Sequence, residues 1–112
     1  MLNVATHETS RASERRSLDG VALHSVCNAD RTTKDYDFAW EACRQHVVNL
    51  LYDYDDLQKA KHKVSCVPID VRTGQLMARV ALHLRLYPQD RVLSASEVFA
   101  RVMEDTFPKC RS

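Results

Sequence analysis

A long helix is the clearest element that the hydrophobic pattern predicts. Through residues 34–62, apolar side chains recur at alternating intervals of four and three, which places them in one stripe along a helix. Val48 and Leu51 lie beside this stripe and widen the apolar arc, so we expect the helix to be covered on more than one side. The stripe consists of Tyr36, Trp40, Cys43, Val47, Leu50, Tyr54 and Leu57.

A β-hairpin is predicted after the long helix. Residues 64–71 and 76–87 alternate between apolar and polar positions, as strands with one buried face do. Gly74 suits the tight loop between them, and Pro68 suits an edge strand because it has no N–H to donate. A shorter alternation over residues 20–27 suggests a third strand that pairs with the longer arm of the hairpin.

A second helix and the fold class follow from the C-terminal pattern. Ser94 to Glu97 forms a capping box before an apolar helical face over residues 95–107. The order of elements is then (β)αββα. We expect an α+β domain of two layers, in which the long first helix and the C-terminal helix pack on a small antiparallel sheet built on the hairpin. The single domain would span residues 19–112, after a flexible polar N-terminal tail over residues 1–18.

Composition narrows the class of partner. The 112 residues are 45% hydrophobic and 28% charged, with a formal net charge of +1. This balance gives no general attraction to nucleic acid or to an anionic membrane. The N-terminus lacks the apolar stretch of a secretory signal, so we expect a cytoplasmic protein whose four cysteines are reduced thiols.

Two His–Cys pairs have the spacing of a zinc site. His24 and Cys27 are followed by Cys43 and His46, with two residues inside each pair. Cys43, however, lies in the apolar stripe of the predicted helix, where a buried cysteine is common. We therefore expect Cys43 in the core and no metal or other cofactor, and a zinc-stabilised small domain is an alternative.

A basic strand face is a second alternative site. Arg79, His83 and Arg85 alternate along the polar side of the predicted 76–87 strand, and Arg72 lies in the loop before it. Basic residues on a sheet can bind single-stranded nucleic acid. This pattern makes a nucleic-acid-binding regulator the alternative function.

The favoured function is binding without catalysis. With only two glycines the chain has no phosphate-binding loop, and no nucleophile turn is present, so we do not expect an enzyme. We expect a small binding or regulatory protein that acts through another protein. Val48, Leu51 and Tyr52 lie where an apolar patch would stay uncovered on a monomer, which favours a homodimer.

Overall fold

The described part of the chain is helical. The computed structural model describes residues 18–111, so residues 1–17, most of the predicted tail, lie outside it. The predicted antiparallel sheet and α+β class are wrong, because residues 18–111 contain no strand and only an isolated bridge between Asp19 and Ser94. The α-helices are α1 (Gly20–Cys27), α2 (Tyr36–His62), α3 (Thr73–Leu86) and α4 (Ala95–Thr106), and 3₁₀ turns at Pro88–Val92 and Pro108–Cys110 follow α3 and α4.

Helix α2 confirms the long helix and forms the centre of the fold. Its middle buries Cys43, Val47, Leu50 and Tyr54, and the other three helices all contact it. The helix ends at Lys63, whose left-handed backbone (φ 67°) stops the helical path. The apolar stripe was therefore predicted correctly in its middle, and its two ends emerge from the core.

The predicted hairpin is a loop followed by α3. Buried residues follow a helical period, whereas Leu82 and Leu86, which the alternation placed with the core, are exposed. Apolar residues lie on all sides of this helix. The even-numbered positions from 76 to 86 are therefore all apolar, although the segment is not a strand. The run from residue 75 to residue 86 is rich in strong helix formers and has Val80 as its one β-branched residue, and that preference prevails. The buried positions are Leu76, Met77, Val80, His83 and Leu84.

The predicted third strand is α1. Asp19 caps this helix, since its side chain accepts a hydrogen bond from the amide of Ala22 at 3.0 Å. Leu23 is fully buried and anchors α1 in the core. An aspartate directly before an apolar run is a helix-start signal, and the short alternation obscured it.

Helix α4 confirms the predicted C-terminal helix. The hydroxyl of Ser94 accepts from the amide of Glu97 at 3.2 Å, as the capping box requires. Its apolar face, which includes Val98 and Phe99, lies in the core. None of the helices described here is long and apolar enough to span a membrane.

Backbone pairing holds the start of α1 against the start of α4. The amide of Gly20 donates to the carbonyl of Leu93 at 2.8 Å, and the amide of Ala95 donates to Leu18 at 3.0 Å. A Cβ atom on Gly20 would lie 2.5 Å from the Cα atom of Arg91. Only glycine fits an approach this close between two backbones.

Two disulfide bonds overturn the expectation of reduced thiols. Cys27–Cys43 joins the end of α1 to α2, and Cys66–Cys110 joins the loop after α2 to the last 3₁₀ turn. All four cysteines of the chain are thereby paired. The sequence separations of 16 and 44 residues correspond to stabilisation of about 3 and about 4 kcal/mol in the chain-entropy model.

A network of polar side chains around buried Asp90 connects α3 to α4. His83 Nε2 lies 2.7 Å from Asp90 Oδ2, and both side chains are less than a tenth exposed. Arg101 Nη1 lies 3.4 Å from the other oxygen of Asp90. Asp90, in the 3₁₀ turn between the two helices, thus contacts both His83 of α3 and Arg101 of α4.

The close approach at Gly20 predicts a strong effect of one methyl group. Gly20→Ala should lower the free energy of unfolding by about 2 kcal/mol or more, because the new Cβ can only be placed by moving backbone. Gly74→Ala is the matched control, since a Cβ there meets no atom within 4 Å, and it should be neutral or slightly stabilising. Urea unfolding of both variants measures this, and equal stabilities would contradict the role of Gly20.

The network at Asp90 predicts a second loss of stability. Asp90→Ala should destabilise the fold by about 3 kcal/mol, because His83 and Arg101 lose their shared carboxylate. Asp105→Ala is the control: its carboxylate is 68% exposed and lies 4.0 Å from His83 Nδ1, so its removal should have little effect. Thermal and urea unfolding at neutral pH compare the two, and the prediction fails if both variants unfold alike.

Candidate partner-binding groove

An open groove lies where α1 and the N-terminal half of α2 meet α3. Its volume is about 390 Å³. Buried Cys43, in its bond to Cys27, and the largely buried Met77 form the deepest part of the lining. The disulfide that joins two of the walls is therefore also part of the groove lining.

Aromatic side chains form one wall of this groove, and small side chains form the other. Tyr36 is half-buried and Trp40 is 45% exposed on the α2 side. On α3 the lining includes Gly74 and Ala78, which leave the space open. Tryptophan and tyrosine beside a depression are typical of the residues that dominate binding energy at protein interfaces.

The loop between α1 and α2 is held to α3 by Asn28. Its amide nitrogen donates to the carbonyl of Ala81 at 3.0 Å and lies 2.9 Å from Nδ1 of His24. Burial lowers the pKa of His24, as do the charges of Arg91 and Arg85, which favours the neutral ring that can accept this hydrogen bond. The groove is therefore formed before any partner binds.

A turn at Asp30 fixes the outer part of the same loop. Its carboxylate accepts from the amide of Thr32 at 2.9 Å and from the hydroxyl of Thr32 at 2.8 Å. The backbone hydrogen bond is the main reason that the pKa of Asp30 is lowered. The Asp30 carboxylate is therefore hydrogen-bonded within its own turn. The next residue, Arg31, belongs to the groove lining.

The predicted zinc set is only partly brought together. Cys27 and Cys43 are joined to each other, so their sulfur atoms are not thiolate ligands. His24 contacts Asn28, and His46 lines a separate depression between α2 and α4. Within residues 18–111, no group of three or more His, Cys, Asp or Glu side chains is placed to hold a metal ion. The core position of Cys43 is confirmed, and the expected lack of zinc stays a prediction.

The predicted basic face does not exist as a strand face. Arg72 precedes α3, while Arg79 and Arg85 lie on α3 at positions that a helix separates by about 120°. His83 is buried against Asp90. Of these residues, Arg85 alone lines the groove, and no periodic signal distinguished it from the others.

None of the predicted interface residues, Val48, Leu51 and Tyr52, belongs to the groove lining. Val48 and Leu51 are half-buried, and Leu51 packs against the core. Tyr52 is 66% exposed. An ion pair flanks this surface, between Asp55 and Lys59 at 3.0 Å. Val48 and Leu51 are thus partly exposed beside exposed Tyr52, and their role as an interface stays a prediction.

These features define a class of protein before they define a family. The chain is a small helical domain with two disulfides and a groove that exposes Trp40, and exposed tryptophan beside a depression favours a protein-binding module. The chain belongs to the family of Rap1a immunity proteins, whose model matches residues 19–110. Immunity proteins bind a toxin partner and are in general not enzymes, so the expectation of a protein-binding protein is confirmed at this level. Neither the curated proteins nor the solved structures gave a match.

Proposed function

We propose that this protein neutralises a toxin by binding it, and that the toxin docks in the groove beside Trp40. Membership of the immunity family over residues 19–110 is the observation that supports the function. The groove supports the location, because it combines exposed aromatic area with a rigid frame. Neutralisation of this kind requires no catalytic group, since occupying an essential surface of the toxin is sufficient.

The walls of the groove lose little conformational entropy when a partner binds. Asn28 and the Cys27–Cys43 bond already fix the walls, so little conformational entropy is lost when a partner enters. Trp40 and Tyr36 supply large rigid surfaces with few rotatable bonds. Binding energy can then be concentrated at the centre of the interface.

We propose that the protein acts in an oxidising compartment. Structural disulfides persist outside the reducing cytosol and are rare within it. All four cysteines are paired, and both bonds join elements that are distant along the chain. The expectation of a cytoplasmic protein came from the lack of a secretory signal and implied reduced thiols, whereas the two disulfides favour an oxidising compartment.

The function is tested by removing the gene from the source organism. In co-culture with the unmodified strain, the deletion strain should lose viability, because it still meets the toxin and lacks the protein that binds it. Restoring the gene should restore survival, whereas Trp40→Ala should protect poorly because the main aromatic contact is lost. Phe38→Ala is the control, since Phe38 is 81% exposed on the same helix and is not part of the groove lining.

Two outcomes would contradict different parts of this proposal. Unchanged survival of the deletion strain would contradict toxin neutralisation. Full protection by the Trp40→Ala chain would contradict docking of the toxin in the groove, but it would not contradict toxin neutralisation. Circular dichroism of each purified variant shows that the fold is intact.

The homodimer is a separate part of the proposal, supported by the exposed ring of Tyr52 beside half-buried Val48. Light scattering of the unmodified protein should give the mass of a dimer. Tyr52→Glu should give a folded monomer, because a buried charge would oppose the two-fold contact. Ile69→Glu, at a fully exposed loop position, should stay dimeric. A well-folded monomer at high micromolar concentration would refute the dimer.

A further inference from the structure

We propose that the part of the partner that enters the groove carries a carboxylate side chain, bound by Arg31 and Arg85, beside an apolar residue that packs on Trp40. This inference rests on the proposed function and specifies the chemistry of the partner at that site. The inference is based on two arginines in the groove lining and on the lack of acidic residues there.

The groove lining is cationic. Its charged members are Arg31 and Arg85, and no aspartate or glutamate belongs to the lining. Across residues 18–111, neither arginine makes a side-chain hydrogen bond or an ion pair with another residue. Two unengaged guanidinium groups therefore border one depression.

Other arginines of the same domain are engaged. Arg44 binds Glu41 on the surface of α2, and Arg101 binds Asp90. Arg91 donates to the carbonyl of Leu84 at 2.9 Å. Among residues 18–111, the two groove arginines thus differ from these three in having no hydrogen-bond partner for their side chains.

The surroundings of the two arginines favour an anion. Asp30 precedes Arg31 along the chain, but its carboxylate accepts hydrogen bonds from Thr32. The charge of Arg85 contributes, after burial and Arg91, to the lowered pKa of His24, so its positive potential reaches α1, whose last residues line the groove. Trp40 and Met77 belong to the same lining, so an apolar neighbour of the anion can pack beside the ion pair.

A carboxylate is the anion that fits a protein partner. A planar guanidinium donates two parallel hydrogen bonds to a carboxylate, which fixes orientation as well as adding energy. Phosphate offers similar oxygens, but the formal net charge of +1 provides no wider field for a nucleic acid, and the family binds proteins. Trp40 and Met77 in the lining favour an apolar neighbour beside the acidic side chain.

Trp40 makes the proposal directly measurable. It is the one tryptophan of the chain, so intrinsic fluorescence reports on the groove. The probes are two capped peptides, acetyl-Gly-Leu-Glu-Gly-amide and the same peptide with Gln in place of Glu. The Glu peptide should give a saturable change at millimolar concentration, and the Gln peptide should bind about tenfold more weakly because it lacks the charge.

The variants assign the effect to the two arginines. In the Arg31→Gln, Arg85→Gln chain the difference between the peptides should disappear, and in the Arg79→Gln chain it should persist, because Arg79 is exposed on α3 but is not part of the lining. Equal responses to the two peptides throughout the millimolar range would overturn the proposal. A short RNA that alters the fluorescence at lower concentration than the Glu peptide would also overturn it.

Survival of the deletion strain separates this inference from the proposed function. The Arg31→Glu, Arg85→Glu chain should fail to protect, and Arg79→Glu should protect fully. If the charge-reversed chain protects while Trp40→Ala does not, the carboxylate proposal is wrong and toxin binding in the groove stands. If the unmodified chain does not protect, the proposed function is wrong, and the peptide titration still decides whether the groove binds carboxylates.

Discussion

The bond between Cys27 and Cys43 sets the position of α1 on α2, and the groove depends on that position. Helix α1 has eight residues, too few to be stable alone. It is held at its start by the pairing of Gly20 with Leu93 and at its end by the disulfide and Asn28. A short helix fixed at both ends becomes a rigid wall, which a helix of this length packed by Leu23 alone would not provide.

Helix α3 borders the groove on one side, and on its other side polar side chains connect it to α4. His83 and Leu84 are neighbours in the same buried face, yet one joins the polar network around Asp90 and the other the apolar core. Asp90 serves both His83 and Arg101 from a single 3₁₀ turn, so α3 and α4 are fixed by directional bonds as well as by packing. Such bonds specify one arrangement where apolar contacts alone would tolerate several.

The elements with unambiguous periods could be predicted from the sequence, and the others could not. Helix α2 has seven apolar positions in one stripe and α4 has a capping box, so period and capping agree. In α3 the period of two and the helical period both fit the apolar residues, and the choice depended on the helix preference of the run. The paired spacing around Cys27 and Cys43 did mark residues that meet in space, but spacing does not distinguish a metal site from a disulfide. The groove was missed because Arg31, Trp40 and Arg85 come from three separate segments and only the tertiary structure brings them together.

The order of the two disulfides along the chain bears on how the protein reaches its native pairing. Four cysteines allow three pairings, and the native one alone closes two loops that lie one after the other. A chain that enters an oxidising compartment N-terminus first therefore presents Cys27 and Cys43 to each other before Cys66 and Cys110 arrive. In the oxidising compartment proposed above, entry in this direction would favour the native partners by timing, and the first bond would join α1 to α2 before α4 arrives.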